Sequence, residues 1–487
     1  MRGRMITRRQ FNLGLAGASL SAHSAFGAPR RFLAARAESV PEQSMSTLQK
    51  NFLELRFGMY IHLNMATYEQ REWGNPRTPP SIFNPKSLDT DQWAEAAVSA
   101  KMKYGCLTTK HHDGFCLWPT ATDSPSVKDT PFGHDIVRSY VDSFRRKGLQ
   151  VCLYFSILDL RANIRHFDIT PRKLDLIKSQ LTELLTNYGE ITALVIDGWN
   201  AAWSRITYDE VPYLEIYNHV KSLQPNCLVS DYNEGRFPAP VLYYTDIKQY
   251  EEHAGQTIPP GSAIPSQAAN TLQSVWFWKE GFPDEKLRPA HQVVDEWLVP
   301  FNQSHCNLIL NVAPNREGLF DNNAVQRLAE IGKLWSHPEP LPSFRPAIVI
   351  TTPDLAFGKP SFASGSADTS GPDLANDNNP GTYWLCDRGQ TSGWLEIDLK
   401  GPVPFNTVAV VEPTYLDDYG RDSRITSYRV EAYKGAAWVP LLTNTSTQIA
   451  VHRVPRTTAE RVRLIIQGSK EPPGIAELGV YDESLRN

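Results

Sequence analysis

Residues 191–197, Ile191-Thr192-Ala193-Leu194-Val195-Ile196-Asp197, are almost wholly apolar and end in an acid. So short a run is too brief for a helix, and consecutive apolar positions suit a strand buried on both faces, as in a parallel sheet. Similar runs bounded by turn residues recur at Phe57–Leu63, Gly105–Lys110, Leu149–Ser156, Asn226–Asp231, Thr245–Tyr250, Ser274–Trp278 and Asn307–Val312, which makes eight with the first. Helical patterns lie between them. Asp91–Met102 reads as an Asp-capped helix with Trp93, Ala96, Ala97 and Ala100 on one face, and Asp135–Lys147, Pro171–Asn187, Asp209–Leu223 and Lys286–Gln303 follow. No clear helix intervenes at 225–250. Eight strands alternating with helices favour a (β/α)8-like barrel over residues 45–336 rather than an open sheet.

The character of the chain changes at the end of that region. Pro338, Pro340, Pro342 and Pro346 punctuate a linker over 337–349, where a helix cannot continue. From 350 to 487 the helical patterns vanish. Trp394–Leu399, Thr407–Glu412, Ser427–Tyr433, Trp438–Leu442 and Arg461–Gln467 predict short strands of an all-β sandwich.

Charge separates a third segment. The chain has 487 residues with 49 Lys+Arg against 53 Asp+Glu, a net −4. Residues 1–37 hold seven arginines and no other charged residue, so the remainder carries 42 cations against 53 anions, a net −11. A body that acidic argues against a nucleic-acid partner, since phosphate contacts need clustered cations. The leader itself has Arg8-Arg9 followed by Phe11 and a weakly apolar run through Leu20, the pattern of a twin-arginine export signal, with cleavage expected after Ala28 or Ala37. A periplasmic or extracellular location follows from that reading. No stretch is long and apolar enough to predict a membrane span. The six cysteines form no C-x-x-C pair, and Cys106, Cys152 and Cys306 fall in apolar runs, which predicts buried free thiols.

In a barrel of this kind the chemistry gathers at the C-terminal ends of the strands. Those ends carry His62, then His111, His112 and Asp113, Tyr154, Asp197 with Trp199, Asp231, Glu251 with Glu252, Trp276 with Trp278, and Asn311. Indoles beside acids suit a sugar, whose C–H faces stack on rings while its hydroxyls need fixed polar partners. Two carboxylates near one bond suit glycoside hydrolysis. A zinc site has no support, because no H-E-x-x-H or comparable ligand spacing is present.

Phe57-Gly58-Met59-Tyr60-Ile61-His62, then Glu72-Trp73, then Thr109-Lys110-His111-His112-Asp113-Gly114-Phe115 resemble the α-L-fucosidases of glycoside hydrolase family 29. Leu153-Tyr154-Phe155-Ser156, Asn187-Tyr188-Gly189 and Val195-Ile196-Asp197-Gly198-Trp199 extend the resemblance in order, over about residues 50–335. It implies a retaining hydrolase that releases terminal α-L-fucose from oligosaccharides or glycoconjugates through a covalent fucosyl-enzyme. Asp197 matches the nucleophile. His62, His111 and His112 match positions that hold the fucose hydroxyls, with Glu72, Trp73 and Tyr154 beside them, while Trp199, Trp276, Phe277 and Trp278 are expected to complete the sugar site. Where relatives continue His-Trp-Gly, this chain has His62-Leu63-Asn64.

The acid/base varies in place across that family. Asp246-Ile247-Lys248-Gln249-Tyr250-Glu251 resembles a segment where it often lies, which points to Glu251, with Glu252 the second choice and Glu234 the third. Nine residues before Trp276, where some relatives have a glutamate, stands Gln267, an amide that cannot deliver a proton. That departure keeps open a carbohydrate-binding protein on a degenerate barrel; another exo-glycosidase is the second alternative. Residues 375–485 resemble a discoidin-like (coagulation factor 5/8 type C) galactose-binding domain through Trp384, Gly393-Trp394-Leu395-Glu396-Ile397-Asp398-Leu399 and Ile425-Thr426-Ser427-Tyr428-Arg429-Val430. That resemblance implies a jelly-roll sandwich, with Asp377-Asn378 as a candidate structural calcium position. The hydrolysis itself requires no cofactor.

Overall fold

A computed structural model describes residues 41–336 and 350–483, except 200, 202, 209, 233–244, 255, 257, 259, 260, 263, 351, 380, 381, 414–423 and 446–448. The predicted leader, the Pro-rich linker and Glu234 therefore lie outside the described residues.

The first body is built on a parallel sheet of eight strands: β1 (Phe57–Ile61), β2 (Tyr104–Lys110), β3 (Gln150–Ser156), β4 (Ala193–Asp197), β5 (Leu228–Tyr232), β6 (Lys248–Glu251), β7 (Ser266–Thr271) and β8 (Cys306–Asn311). The ladder runs β5-β4-β3-β2-β1-β8-β7-β6, so β1 and β8 are paired and the sheet curls into a nearly closed barrel. Between β5 and β6 a mixed seam of main-chain and side-chain bonds replaces the ladder. Asp246 N–H donates to Val229 O (2.8 Å), Val229 N–H donates to Asp246 Oδ2 (2.8 Å), and Gln249 Nε2 donates to Ser230 Oγ (2.7 Å). This is the stretch whose alternation is broken in the sequence.

Strand parity sorts the side chains. Leu107, Leu153, Leu194, Ile196, Val229, Leu308 and Leu310 point outward and join the helix faces in the main core. Tyr60, Tyr104, Cys106, Cys152, Tyr154, Ala193, Val195, Leu228, Tyr232, Ala269 and Ile309 form a second, interior cluster. Leu48 and Phe52, on the helix Met45–Leu53, belong to that interior cluster. Gln49 Nε2 ties the same helix to Asp246 O (2.8 Å), and Phe52 O accepts from Asn307 Nδ2 (2.7 Å). All six cysteines are buried and free, as the sequence predicts.

The helices Thr90–Ser99, Ile136–Arg146, Pro171–Asn187, Tyr213–Leu223 and Asn322–Leu334 pack outside. Asp89, not Asp91, caps the first, accepting from the N–H groups of Asp91 and Gln92 (both 3.0 Å). The helical stretch from Ala290 to Gln303 contains a π-type segment, Val293–Leu298, with Pro300 following it. One predicted strand is corrected. Residues 274–278 are a loop, and the seventh strand is Ser266–Thr271. Ser-Gln-Ala-Ala-Asn-Thr has almost no apolar character, because its polar groups bond within the barrel rather than to water. Gln267 Oε1 accepts from Tyr104 OH (2.6 Å) and Gln267 Nε2 donates to Gln249 Oε1 (3.2 Å). A search for apolar runs passes over such a strand.

The second body comprises β9 (Ser361–Ala363), β10 (Trp384–Leu385), β11 (Gly393–Val411), β12 (Ile425–Lys434), β13 (Ala437–Thr445), β14 (Ile449–Ser469), β15 (Gly474–Ile475) and β16 (Glu477–Tyr481). All its pairings are antiparallel. Two predicted strands merge into the long β11, whose register with β14 breaks between Asp398 and Val403 and again between Phe405 and Thr407. Such breaks bend a strand. Both halves of β11 contribute to one core, which holds Leu395, Ile397 and Leu399 together with Val408, Val410, Leu478 and Val480. This body also joins the barrel, since Ala409, Val411, Ala476 and Tyr481 belong to the barrel's main core cluster. Asp377 accepts from Asn379 N–H (3.0 Å) and from the Thr382 hydroxyl (2.7 Å), so its carboxylate caps a turn. No helix among the described residues is long and apolar enough to cross a membrane.

Candidate active site

A cavity of about 330 Å³ opens at the C-terminal ends of the strands. Parity explains which strand-end residues reach it. Asp197 follows Ala193 and Val195 on the inward face of β4, and Tyr154 follows Cys152 on β3. Gly198, at φ +117°, then turns the chain away; a Cβ there would lie 2.8 Å from Ile157 Cγ1, so only glycine fits. Tyr154 OH donates to Asp197 Oδ2 at 2.6 Å, and His112 Nε2 stands 3.7 Å from the same oxygen. Burial, followed by the charge of Asp197, pushes the Tyr154 phenol well above its ordinary pKa, so it stays protonated and donates.

Three histidines line the inner wall. The network assigns the tautomer of two of them. Asn311 Nδ2 donates to Trp276 O (2.9 Å), which turns its oxygen toward His62 Nδ1 (2.7 Å), so Nδ1 carries the His62 proton. Ser156 Oγ gives its single proton to Leu158 O (2.8 Å), so His112 Nδ1, 2.8 Å away, must be the donor to it. Both rings therefore keep Nε2 as an acceptor. Burial pushes His62 and His112 down to about 3 and His111 well below the ordinary histidine range. All three are held neutral near pH 7 and suited to accept hydrogen bonds from hydroxyls.

Glu251 ends β6 half-buried at the cavity, its N–H donating to Gln256 Oε1 (2.8 Å). Glu72 also lines it. Its Oε2 accepts from Trp276 N–H (3.3 Å), its Oε1 lies 3.8 Å from Lys279 Nζ, and burial raises its pKa. Trp73, Trp276 and Phe277 complete the set of expected residues that the cavity gathers.

Three expected residues are elsewhere. Trp199 is fully buried, with Nε1 donating to Val211 O (2.8 Å) among Tyr208 and Tyr213. Trp278 donates to Asp321 Oδ2 (2.7 Å) and packs with Phe282 and Ala313. Glu252, one residue past the inward Glu251, pairs with Arg288 (3.1 Å). Asp231 likewise accepts from Tyr208 OH, while its neighbour Tyr232 takes the inward place. Asp113 sits behind the wall, 3.8 Å from Arg161, and its burial pushes it up to about 7. Gln267 lies in the barrel interior and is not a cavity residue.

The cavity also includes Tyr60, Trp203, Tyr232, His253, Ala254 and Val275, which the sequence reading missed. Tyr60 and Tyr232 could have been found by strand parity, two residues before His62 and two after Ser230. Trp203 and His253 lie in loops, where no periodic signal exists.

Residues 66–337 match the α-L-fucosidase family model, and residues 361–478 match the F5/8 type C domain. The α-L-fucosidase 1 of Arabidopsis thaliana is 25% identical over 452 residues, covering 87% of this chain and 84% of that protein. The tissue α-L-fucosidase of Mus musculus is 24% identical over 356 residues, covering 63% and 73%. The solved structure of α-L-fucosidase isoenzyme 1 from Paenibacillus thiaminolyticus has the same fold, with a TM-score of 0.51 at 24% identity over 87% of this chain and 99% of that one. Since the family model spans more than half of the sequence, the chain belongs to the α-L-fucosidase family and is a glycoside hydrolase.

Proposed function

We propose that the protein is a retaining α-L-fucosidase that releases terminal fucose from oligosaccharides or glycoconjugates. The observation that carries this reading is the meeting, in one cavity, of Asp197, Glu251 and three neutral histidines. The neutral histidines accept hydrogen bonds from the fucose hydroxyls. Phe277, Val275 and Trp276 supply an apolar surface for the C6 methyl. Tyr154 holds the Asp197 carboxylate in place for attack on C1.

In the first step Asp197 forms a bond to C1 as the C1–O bond breaks, and Glu251 gives its proton to the departing oxygen. In the second, Glu251 takes a proton from water, whose oxygen attacks C1 and frees Asp197. The leader supports export of the enzyme to the periplasm or the medium. Asp197→Asn is expected to lower turnover of an aryl α-L-fucoside by several orders of magnitude with the fold intact, and NMR is expected to show the α anomer released first by the wild type. Release of the β anomer, or near-wild-type turnover in the variant, refutes the retaining mechanism on Asp197.

A further inference from the structure

The loop that carries Glu72 and Trp73 follows the short helix Met65–Glu69 and is tied down from behind the cavity wall. Glu69 Oε2 accepts from Asn75 N–H (2.8 Å), and Thr78 N–H donates to Asn75 O (3.0 Å), which closes a turn over 75–78. Arg161, from the loop after β3, donates through Nη2 to Thr78 O (2.9 Å), with Asn75 O 3.5 Å from the same nitrogen. Its side chain is only 10% exposed, and its Nε stands 3.8 Å from Asp113 Oδ2. Asp113 is fully buried, and Gly74 packs directly on it: a Cβ at Gly74 would lie 3.1 Å from Asp113 Cγ. One carboxyl just past β2 thus meets both the loop after β1 and the cation from the loop after β3. Trp73, between Glu72 and that glycine, lies 4.8 Å from the His112 ring.

We propose that Asp113 and Arg161 are a positioning pair: the Asp113 charge keeps Arg161 folded inward on the 75–78 turn, and that turn holds Trp73 and Glu72 at the cavity. The inference rests on the fucosidase reading for its substrate and adds two residues that touch no sugar. A guanidinium inside the wall needs a counter-charge, because an unpaired buried ion is costly. When Asp113 is neutral, Arg161 faces only carbonyl dipoles, and water outside becomes the better partner. The side chain then swings outward, Thr78 O loses its donor, and Trp73 loses its fixed place against His112. The groups around Asp113 set where that change falls. Burial raises its carboxyl most, Arg161 opposes this, Asp159 and Glu69 add to it, and the Phe115 N–H opposes it, which brings Asp113 to about 7. Asp159 is itself paired with Lys110 at 3.2 Å. His62, His111 and His112 stay neutral across this range and add no charge. The pair is therefore formed above about pH 7 and broken below it, so the loop tightens as pH rises.

The test is steady-state hydrolysis of an aryl α-L-fucoside by the full-length enzyme, compared well below and well above pH 7. Asp113→Asn keeps the shape and removes the charge. On the alkaline side it is expected to raise KM by about 5- to 10-fold with kcat changed by less than about threefold, as loss of one charged hydrogen-bonding partner would. On the acid side, where Asp113 of the wild type is already neutral, the two proteins are expected to have the same KM. Arg161→Met, a change nearer the surface, is expected to give the same pattern, so the test survives if Asp113→Asn folds poorly. The double variant is expected to be no worse than either single one, since both break one device. An unchanged KM on the alkaline side overturns the pair. So does a KM raised by the same factor at both pH values, which marks a merely structural role, or additive losses in the double variant. Absence of wild-type turnover overturns the fucosidase reading and the pair's part in it.

Discussion

Replacing Asn311 by leucine tests whether sugar recognition works through the tautomer of His62. Asn311 is fully buried and makes two bonds, accepting from His62 Nδ1–H at 2.7 Å and donating to Trp276 O at 2.9 Å. Leucine is close in size, so little cavity forms, but both partners lose their bonds. A buried group left unpaired costs about 1–3 kcal/mol. The Trp276 carbonyl has no escape from that cost. His62 does: a neutral imidazole can move its proton to Nε2, which then donates where it had accepted. A fucose hydroxyl that donated a hydrogen bond to Nε2 loses that bond, and about 1–3 kcal/mol corresponds to roughly 5- to 150-fold in kcat/KM. Because the bond is made in both ground and transition states, most of the loss is expected in KM. The assay is steady-state hydrolysis of an aryl α-L-fucoside at pH 7.5, with ¹⁵N NMR of the imidazole to read the tautomer. Asn311→Asp is the control. Its carboxylate keeps an acceptor at Nδ1, and a nearby charge raises His62 from about 3 by roughly 1–3 units, which leaves it neutral at the assay pH. Asn311→Asp is therefore expected to outperform Asn311→Leu. Activity of the leucine variant within twofold of wild type, or equal loss in the two variants, refutes tautomer control.

Two further outcomes follow from the geometry. Glu251→Ala is expected to slow cleavage of natural linkages by about 10²- to 10⁴-fold, to spare activated aryl fucosides more, and to recover turnover with azide; Glu252→Ala, whose carboxylate is held by Arg288, is expected to do none of this. Azide rescue of Glu252→Ala instead would move the acid/base by one residue. Lys110→Met removes the cation that sits 3.2 Å from Asp159 and 2.9 Å from Gln180 with no exposure to solvent. An unpaired buried carboxylate costs about 3–5 kcal/mol, so urea unfolding of the variant should shift clearly to lower concentration. A midpoint within error of wild type would show that Asp159 finds another partner.

The acid/base question illustrates where the sequence stops. Glu251 and Glu252 are adjacent acids with the same local chemistry. Only the register of β6 against β7, which pairs Glu251 with Ala269, turns the first toward the cavity and sends its neighbour to Arg288. The same one-residue rule separates Tyr232 from Asp231. His111 and His112 escape it because both lie past the last residue of β2, where the strand's alternation has ended. Gln267 shows where partners decide: the sequence leaves it either outside the catalytic set or the mark of an impaired enzyme, and it is a structural amide within the barrel, bonded to Tyr104 and Gln249.

What the sequence determined by itself was periodic or motif-borne. Apolar runs such as 191–197 declared seven of the eight strands, since burial on both faces leaves a composition that does not depend on neighbours. The Lys-His-His-Asp-Gly-Phe run and the Val-Ile-Asp-Gly-Trp run marked the histidines and Asp197. Tertiary structure alone decided the rest. It made a strand of the polar segment 266–271, whose side chains find partners only once the barrel closes. It chose Trp203, from a loop without periodicity, over Trp199, which is drawn into the core by the carbonyl of Val211. A side chain's direction at a strand end is set by ladder register and by the loop beyond, and both are long-range properties that no local stretch of sequence contains.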